Sequence, residues 1–560
     1  MAKLTKQDKT FLKNACPIYR RPKFTKTQKL MVKPFASSVY GNPYSISMLS
    51  AETVAAICSR SSRTTGDLRE IMAKEYIEPF IAQKNKHGVA MKNFVSFLNK
   101  TSMYDIFANP RAREFFIKWL AQYGDDSIAQ MAGVSVVFPA ISQIAIKHIE
   151  NLRQGIAFLE QSTRYVDFGE KINGNYKYYT DPTLSKIGLE KEYKNAMDNL
   201  FDTYCNLKRK LEEVLAKKYP NESPKVRSAY IFDNIRALLP VSALSQMTMF
   251  TSGQALEYLI AKSLKHNLSE IKWVGLSLYN EMQKTVPSFL TRIDSDSSSK
   301  YQNYLVDKNK AIKKIVEKDF ADFSKSKNEK ANFKVIEYDK NVEDKIISAL
   351  LFKESIQSFE EIYSKVKQLS TIKKEEILKS ILSSREQRWY KLPRAFEYCN
   401  ITYEMISDYG TYKDLQRHRI KSQIRSKFSP YLGYKVPPLL VEEKMEKEFI
   451  SAISKVERVY KLIAKKDNDL AEYATCVAHN LRYAVNTNLR ALLWEAELRT
   501  ISQGHFDYRK MAQEVIIWIK KTYPLIGKYV IADMNEYTMA RRGTEEQIKE
   551  KEALLKKSLG

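Results

Sequence analysis

The 560-residue chain carries 92 Lys+Arg against 65 Asp+Glu, a formal net charge of +27, yet 44% of its residues are hydrophobic and 11% aromatic. At about 150 residues per domain it is too long for one small module and too apolar for wholesale disorder. Gly and Pro, 17 each, exclude collagen-like and linker-like chains, and five scattered cysteines (Cys16, Cys58, Cys205, Cys399 and Cys476) argue for a reducing, cytoplasmic setting rather than a disulfide or thiolate-zinc framework.

Residues 1–35 form a basic, Pro-punctuated extension without the apolar core of a secretory signal. A first unit is expected over 36–295. Its charge-free runs, Ser127 to Ile146 and Ala237 to Leu256, are laced with Gln, Ser and Pro, so they read as buried core and not as membrane spans. Val134, Val136 and Phe138 alternate as in a strand; Pro139 fits the first turn of a helix running to Gly155. Residues 296–333 have the Ser and charge content of a linker. The basic run within 305–334 mixes in acids and lacks interleaved aromatics, which favours a solvated helix and spacer over a nucleic-acid arm. A second unit is expected over 334–530, with Ile401, Tyr403 and Met405 alternating on a strand and Asp408 capping a helix through Tyr409, Tyr412 and Leu415. Residues 531–560 are a charged tail. Long helical patterns at 188–218, 254–284, 441–465 and 507–521 complete an α+β chain of two similar halves, each a small sheet packed with long helices.

Two motifs could carry chemistry. In LEQSTRYVDF (159–168), Glu160, Ser162 and Arg164 alternate and, if extended, offer an acceptor, a hydroxyl and a guanidinium on one edge. The same residues also suit a half-exposed strand with an ion pair. In QRHRIKSQIRS (416–426), Arg417, His418, Arg419 and Arg425 crowd a helix C-terminus, where they suit either an anion site or simple dipole capping. Tyr-Gly-Asp-Asp at 123–126 is also a polymerase-type metal string, but Asp125 and Asp126 have no convincing partner strand; no metal site is expected.

Together the two motifs resemble the flavin-dependent thymidylate synthases, whose signature is R-H-R-x-x-S-x-x-E-x-S-x-R-Y. Arg417, His418, Arg419 and Ser422 match its first part, with Lys427 at the later Ser position. Glu160, Ser162, Arg164 and Tyr165 match its second part, with Leu152, Arg153 and Gln154 in the R-H-R places. IRALLP (235–240) is similar to the family's substrate-side arginine element and supplies Arg236; NTNLRALLWEAELR (486–499) is similar to its flavin-side element and supplies Asn488, Arg490 and Arg499. Glu397 in RAFEY (394–398) matches the family's x-x-E-H element, and Leu392 and Asp125 stand near the place of its histidine. The similarity touches most of 45–295 and 334–525.

The resemblance implies tandem copies of a flavin-dependent thymidylate synthase-like domain and reductive methylation of dUMP to dTMP, with FAD as cofactor and reduced nicotinamide and methylenetetrahydrofolate as cosubstrates. It places Ser162 and Arg417 at the reaction centre, Ser162 positioning the pyrimidine rather than acting as a nucleophile. Glu160, Ser162, Arg164, Arg236 and Arg499 would hold the dUMP-like nucleotide. Glu397, Arg417, His418, Arg419, Asn488 and Arg490 would hold FAD, with the R-H-R group stabilising negative charge on the reduced ring. Each half lacks what the other keeps, so one half alone does not support turnover, and a homodimer forming a pseudo-tetramer is expected. The alternatives are a flavin- or nucleotide-binding paralogue without turnover and a basic nucleic-acid-associated protein.

Overall fold

The computed structural model describes residues 4–101, 109–122, 124, 126–320 and 331–559. They group into two compact units. Unit 1 comprises Met1–Lys208, Leu238–Lys325 and Leu440–Cys476; unit 2 comprises Arg209–Ala237, Ser326–Leu439 and Val477–Gly560. Each unit therefore takes one segment from the other half of the sequence.

Unit 1 is built on an antiparallel sheet of β1 (Tyr44–Ile46), β2 (Gly133–Ser142), β3 (Ile156–Glu160) and β4 (Leu244–Ser252) in the order β1-β2-β4-β3. Unit 2 repeats the plan with β5 (Asn332–Tyr338), β6 (Asn400–Asp408), β7 (Ser422–Arg425) and β8 (Asn480–Asn488) in the order β5-β6-β8-β7. The α+β class and the tandem duplication thus appear as two sheets of the same connectivity. Both charge-free runs enter the unit 1 sheet, and among the described residues no helix is long and apolar enough to cross a membrane.

The local chemistry explains most elements. Asp408 accepts from Thr411 N at 2.9 Å and caps helix Tyr409–Leu415, whose aromatic face packs Tyr412 against Tyr483 of β8. In unit 1 the strand runs on where Pro139 suggested a helix: β2 continues to Ser142 across an irregularity between Phe138 and Ile141, where Pro139 needs no ladder donor. Helix Gln143–Glu150 starts only there, capped by the Ser142 hydroxyl. The pattern over 254–284 is two helices, Gly253–Leu264 and Ser269–Met282.

The basic extension is part of unit 1. Helix Lys6–Asn14 packs Phe11 and Leu12 on a core cluster that includes Phe138, Ile146 and Trp273, and Trp273 Nε1 donates to Leu12 O at 3.2 Å. Most of the described part of 296–333 is helix Asp296–Asp319, capped by Ser295. The charged tail is anchored through buried Met539 and Arg541 before helix Thr544–Leu559. All five cysteines are free.

Candidate functional site

The turn after helix Tyr409–Leu415 lies at one end of the unit 2 sheet, where β8 runs into helix Leu489–Arg499 and β7 begins. A cavity of about 380 Å³ opens there. It is lined by Glu397, Arg417, His418, Arg419, Asn488 and Arg490, the six residues expected to hold a flavin, together with Arg385, Lys391, Trp494 and Glu495, which the motifs did not indicate. The residues come from three separate stretches of chain, 385–397, 417–420 and 488–495, and the sheet brings them together because Asn400 at the start of β6 pairs with Asn488 at the end of β8.

Asn488 caps helix Leu489–Arg499 by accepting from Ala491 N at 2.9 Å, which places Arg490 in the first turn. A cation there opposes the helix dipole and costs a few tenths of a kcal/mol or more. Glu397 offsets this by accepting from Arg490 Nη1 at 2.7 Å, and Leu392 O accepts from Arg490 Nε at 2.7 Å. Leu392, near the place of the family's histidine, thus contributes its carbonyl. Burial opposes ionisation of Glu397, but Arg394 and Arg490 outweigh it and hold the carboxyl below its usual range. Ile420 and Trp494 add apolar wall that remains open to solvent, the kind of surface a flat ring covers.

His418 is not a third cation. Burial pushes its pKa down to about 4, opposed by Glu495 and reinforced by Arg499, Lys421 and Arg417. Arg499 Nε donates to His418 Nε2 at 2.9 Å, so that nitrogen is an acceptor and the proton of the neutral ring sits on Nδ1. Beneath it, Lys421 Nζ donates to both carboxylate oxygens of Glu495 at 2.9 Å; burial opposes the charge of Glu495, but Lys421 outweighs it and holds the carboxyl below its usual range. The cavity consequently presents Arg385, Lys391, Arg417, Arg419 and Arg490 against Glu397 and Glu495. Arg385 is spent on Glu497, with contacts of 2.5 and 2.9 Å. The set suits an anionic ligand with a flat ring.

The remaining expected residues lie elsewhere. Arg236 belongs to unit 2 but is buried away from the cavity lining, with Nη1 donating to Asp414 Oδ2 at 3.4 Å. Asp414 also pairs with Arg417 at 3.6 Å, so one carboxylate links the two arginines. A Cβ on Gly410 would stand 2.8 Å from Asp408 Oδ1, 2.9 Å from Arg236 Nη2 and 3.1 Å from Val477 Cγ1, so the glycine leaves room for the buried guanidinium. Glu160, Ser162 and Arg164 belong to unit 1 and do not share one edge: β3 stops at Glu160, and a turn follows in which Tyr165 N and Val166 N donate to Ser162 O. Glu160 is buried beside Lys147 at 3.3 Å, the ion-pair reading of that motif. Ser162 Oγ accepts from Arg164 N at 3.3 Å. Tyr123 and Asp125 lie outside the described residues. Asp126 opens helix Asp126–Met131, and among the described residues no group of His, Cys, Asp and Glu could hold a metal ion.

Comparison with known proteins bears on this arrangement. The family model of the thymidylate synthase complementing proteins matches residues 50–288 and 334–525. A UPF0159 protein of Chlamydia pneumoniae is 29% identical over 94% of this chain and 98% of its own length. A UPF0159 protein of Thermoplasma acidophilum is 28% identical over 78% of this chain and 92% of its own. Among solved structures, the chain is similar to a UMP/dUMP methylase PolB from Streptomyces cacaoi bound with 5-Br dUMP, with 12% identity, a TM-score of 0.30, and coverage of 36% of this chain and 95% of that one.

Proposed function

Because this chain belongs to the thymidylate synthase complementing protein family, we propose that it is an FAD-dependent methylase converting dUMP to dTMP, with methylenetetrahydrofolate as one-carbon donor and reduced nicotinamide as reductant. The observation that carries the reading is the convergence of Glu397, Arg417, His418, Arg419, Asn488 and Arg490 on one cavity of unit 2.

The donor set fits FAD. Arg417, Arg419 and Lys391 supply charge for its pyrophosphate or for a reduced, anionic ring, and Trp494 and Ile420 supply an apolar face. Bound FAD supplies the redox and one-carbon chemistry that side chains lack. The chain's own contribution is positional and electrostatic. Arg490, pinned by Glu397 and the Leu392 carbonyl, has its guanidinium fixed before a ligand arrives. Neutral His418 gives the site a donor at Nδ1 without adding charge, while Arg499 holds the ring through Nε2. Asp414 fixes Arg417 from the protein side. In this reading Arg417 stays with the flavin and Arg499 serves the anionic groups of the dUMP-like nucleotide, and assembly as a homodimer belongs to the same proposal.

The test is product analysis. Full-length protein with FAD, dUMP, methylenetetrahydrofolate and reduced nicotinamide is expected to yield dTMP, and Arg417→Ala to lose it. A protein that binds FAD and dUMP but forms no dTMP is a binding paralogue. That second reading is favoured by one observation: Glu160, assigned to the pyrimidine by resemblance, is occupied by a buried ion pair with Lys147.

A further inference from the structure

Unit 1 holds a larger cavity, of about 1030 Å³, at the place that corresponds register for register to the basic cavity of unit 2. Gly133 opposes Ser252 across β2–β4 as Asn400 opposes Asn488 across β6–β8, and Ala157 opposes Phe250 as Ser422 opposes Asn486. Counting from these pairs, Gln130 stands where unit 2 has Glu397, Leu152 where it has Arg417, Gln154 where it has Arg419, Gln254 where it has Arg490, and Tyr258 where it has Trp494. Ser252 caps its helix just as Asn488 does.

The substitutions reverse the chemistry. Arg292 is the one cation among the described lining residues, and two carboxylates consume it: Asp126 at 2.7 Å and Glu257 at 2.5 Å. The Glu397–Arg490 ion pair becomes an amide relay that ends on a carboxylate, with Gln130 Nε2 donating to Gln254 Oε1 and Gln254 Nε2 donating to Asp126 Oδ2, both at 3.0 Å. Amide side chains offer donors and acceptors together, which matches an amide-type ring edge, whereas the two carboxylates repel a phosphate. Tyr258 and Tyr301 stand at the cavity with ring centroids 6.4 Å apart and are 46% and 37% exposed, enough uncovered aromatic surface for a flat ring to stack on.

We propose that this cavity is a second binding site, for a flat, uncharged heterocycle of the nucleoside type carrying amide-like edge groups and no phosphate. The site is independent of which cofactor fills the unit 2 cavity.

The test is equilibrium dialysis of the full chain against uridine and riboflavin and against their phosphorylated counterparts UMP and FMN. It is run with FAD saturating and again, without FAD, in an Arg490→Gln background that weakens the unit 2 cavity. One uridine or riboflavin per chain is expected at the unit 1 site, with UMP and FMN at least about tenfold weaker. Tyr258→Ala should lower uridine and riboflavin affinity by about tenfold or more without changing the FAD retained per chain. Gln254→Arg, which restores the unit 2 residue, should shift the preference toward UMP and FMN. The inference is overturned if neither uncharged probe binds below about 1 mM, if the phosphorylated probes bind equally well, or if Tyr258→Ala releases FAD. Failure of FAD to bind at all would refute the proposed function and leave the Arg490→Gln measurement to decide this one.

Discussion

Arg490→Gln replaces the unit 2 residue by its unit 1 counterpart and separates a ligand-binding role from a structural one. The wild-type guanidinium is held at 2.7 Å by both Glu397 and Leu392 O, with its remaining donors available toward the cavity. A hydrogen bond from a charged group is worth about 1.5–3 kcal/mol, so loss of the contact to an anionic cofactor should weaken its binding roughly ten- to a hundredfold. The structural cost is smaller. The Arg490 and Glu397 side chains are 28% and 30% exposed, so solvent screens the pair to about 1 kcal/mol or less, and Glu397 keeps Arg394 at 3.1 Å as a partner. The thermal midpoint should therefore move by only about 2–4 °C. Fluorescence titration with FAD at low and high salt, beside a thermal melt, reads both quantities. FAD affinity within about twofold of wild type would refute the reasoning, as would a drop in melting temperature far larger than that range.

The buried pair beneath the cavity makes a second test. Lys421→Met leaves Glu495 buried without its partner and should cost about 3–5 kcal/mol, whereas Lys421→Ile with Glu495→Leu, the residues unit 1 carries as Ile156 and Leu259, should recover most of it in chemical denaturation. For His418, the folded pKa of about 4 lies below the ordinary 6.5, so its contribution to stability is constant above pH 6.5 and declines as pH falls toward 4; His418→Gln should remove that slope from a melt-versus-pH series. Glu270 runs the other way. Burial raises it from 4.5 to about 7 despite bonds from Ser142 and Tyr473, so its favourable contribution is lost as pH rises from 4.5 to 7; the amount is on the order of 3 kcal/mol, and Glu270→Gln should flatten that limb.

The parts legible in the sequence were those fixed by local chemistry. Alternation at Ile401, Tyr403 and Met405 and the Asp408 cap specify a strand and a helix start within a few residues, and both elements formed as expected. The R-H-R segment and the Asn488–Arg490 segment were legible as motifs, and the β6–β8 register explains their convergence. Long-range pairing was not legible. Lys421 and Glu495 are 74 positions apart, and nothing local in either residue announces the partner. The charge of His418 depends on burial and on Arg499, 81 positions on. Pro139 suits a first helical turn or an irregular strand equally, and only pairing with β4 decides between them. Glu160 looked like a recognition group because extension was assumed past the point where β3 ends. Arg490 did carry a signal in its own right: a cation in a first helical turn breaks a local rule, and such breaks mark functional positions.

The central claim, that the unit 2 cavity is an FAD site serving a pyrimidine nucleotide, is tested most directly by the absorption spectrum of the purified full-length protein after FAD loading, before and after dUMP. The expected result is a flavin spectrum corresponding to one FAD in the unit 2 cavity, perturbed by dUMP and lost in Arg417→Ala. A protein that stays colourless after loading, or one whose flavin spectrum neither responds to dUMP nor depends on Arg417, would contradict it.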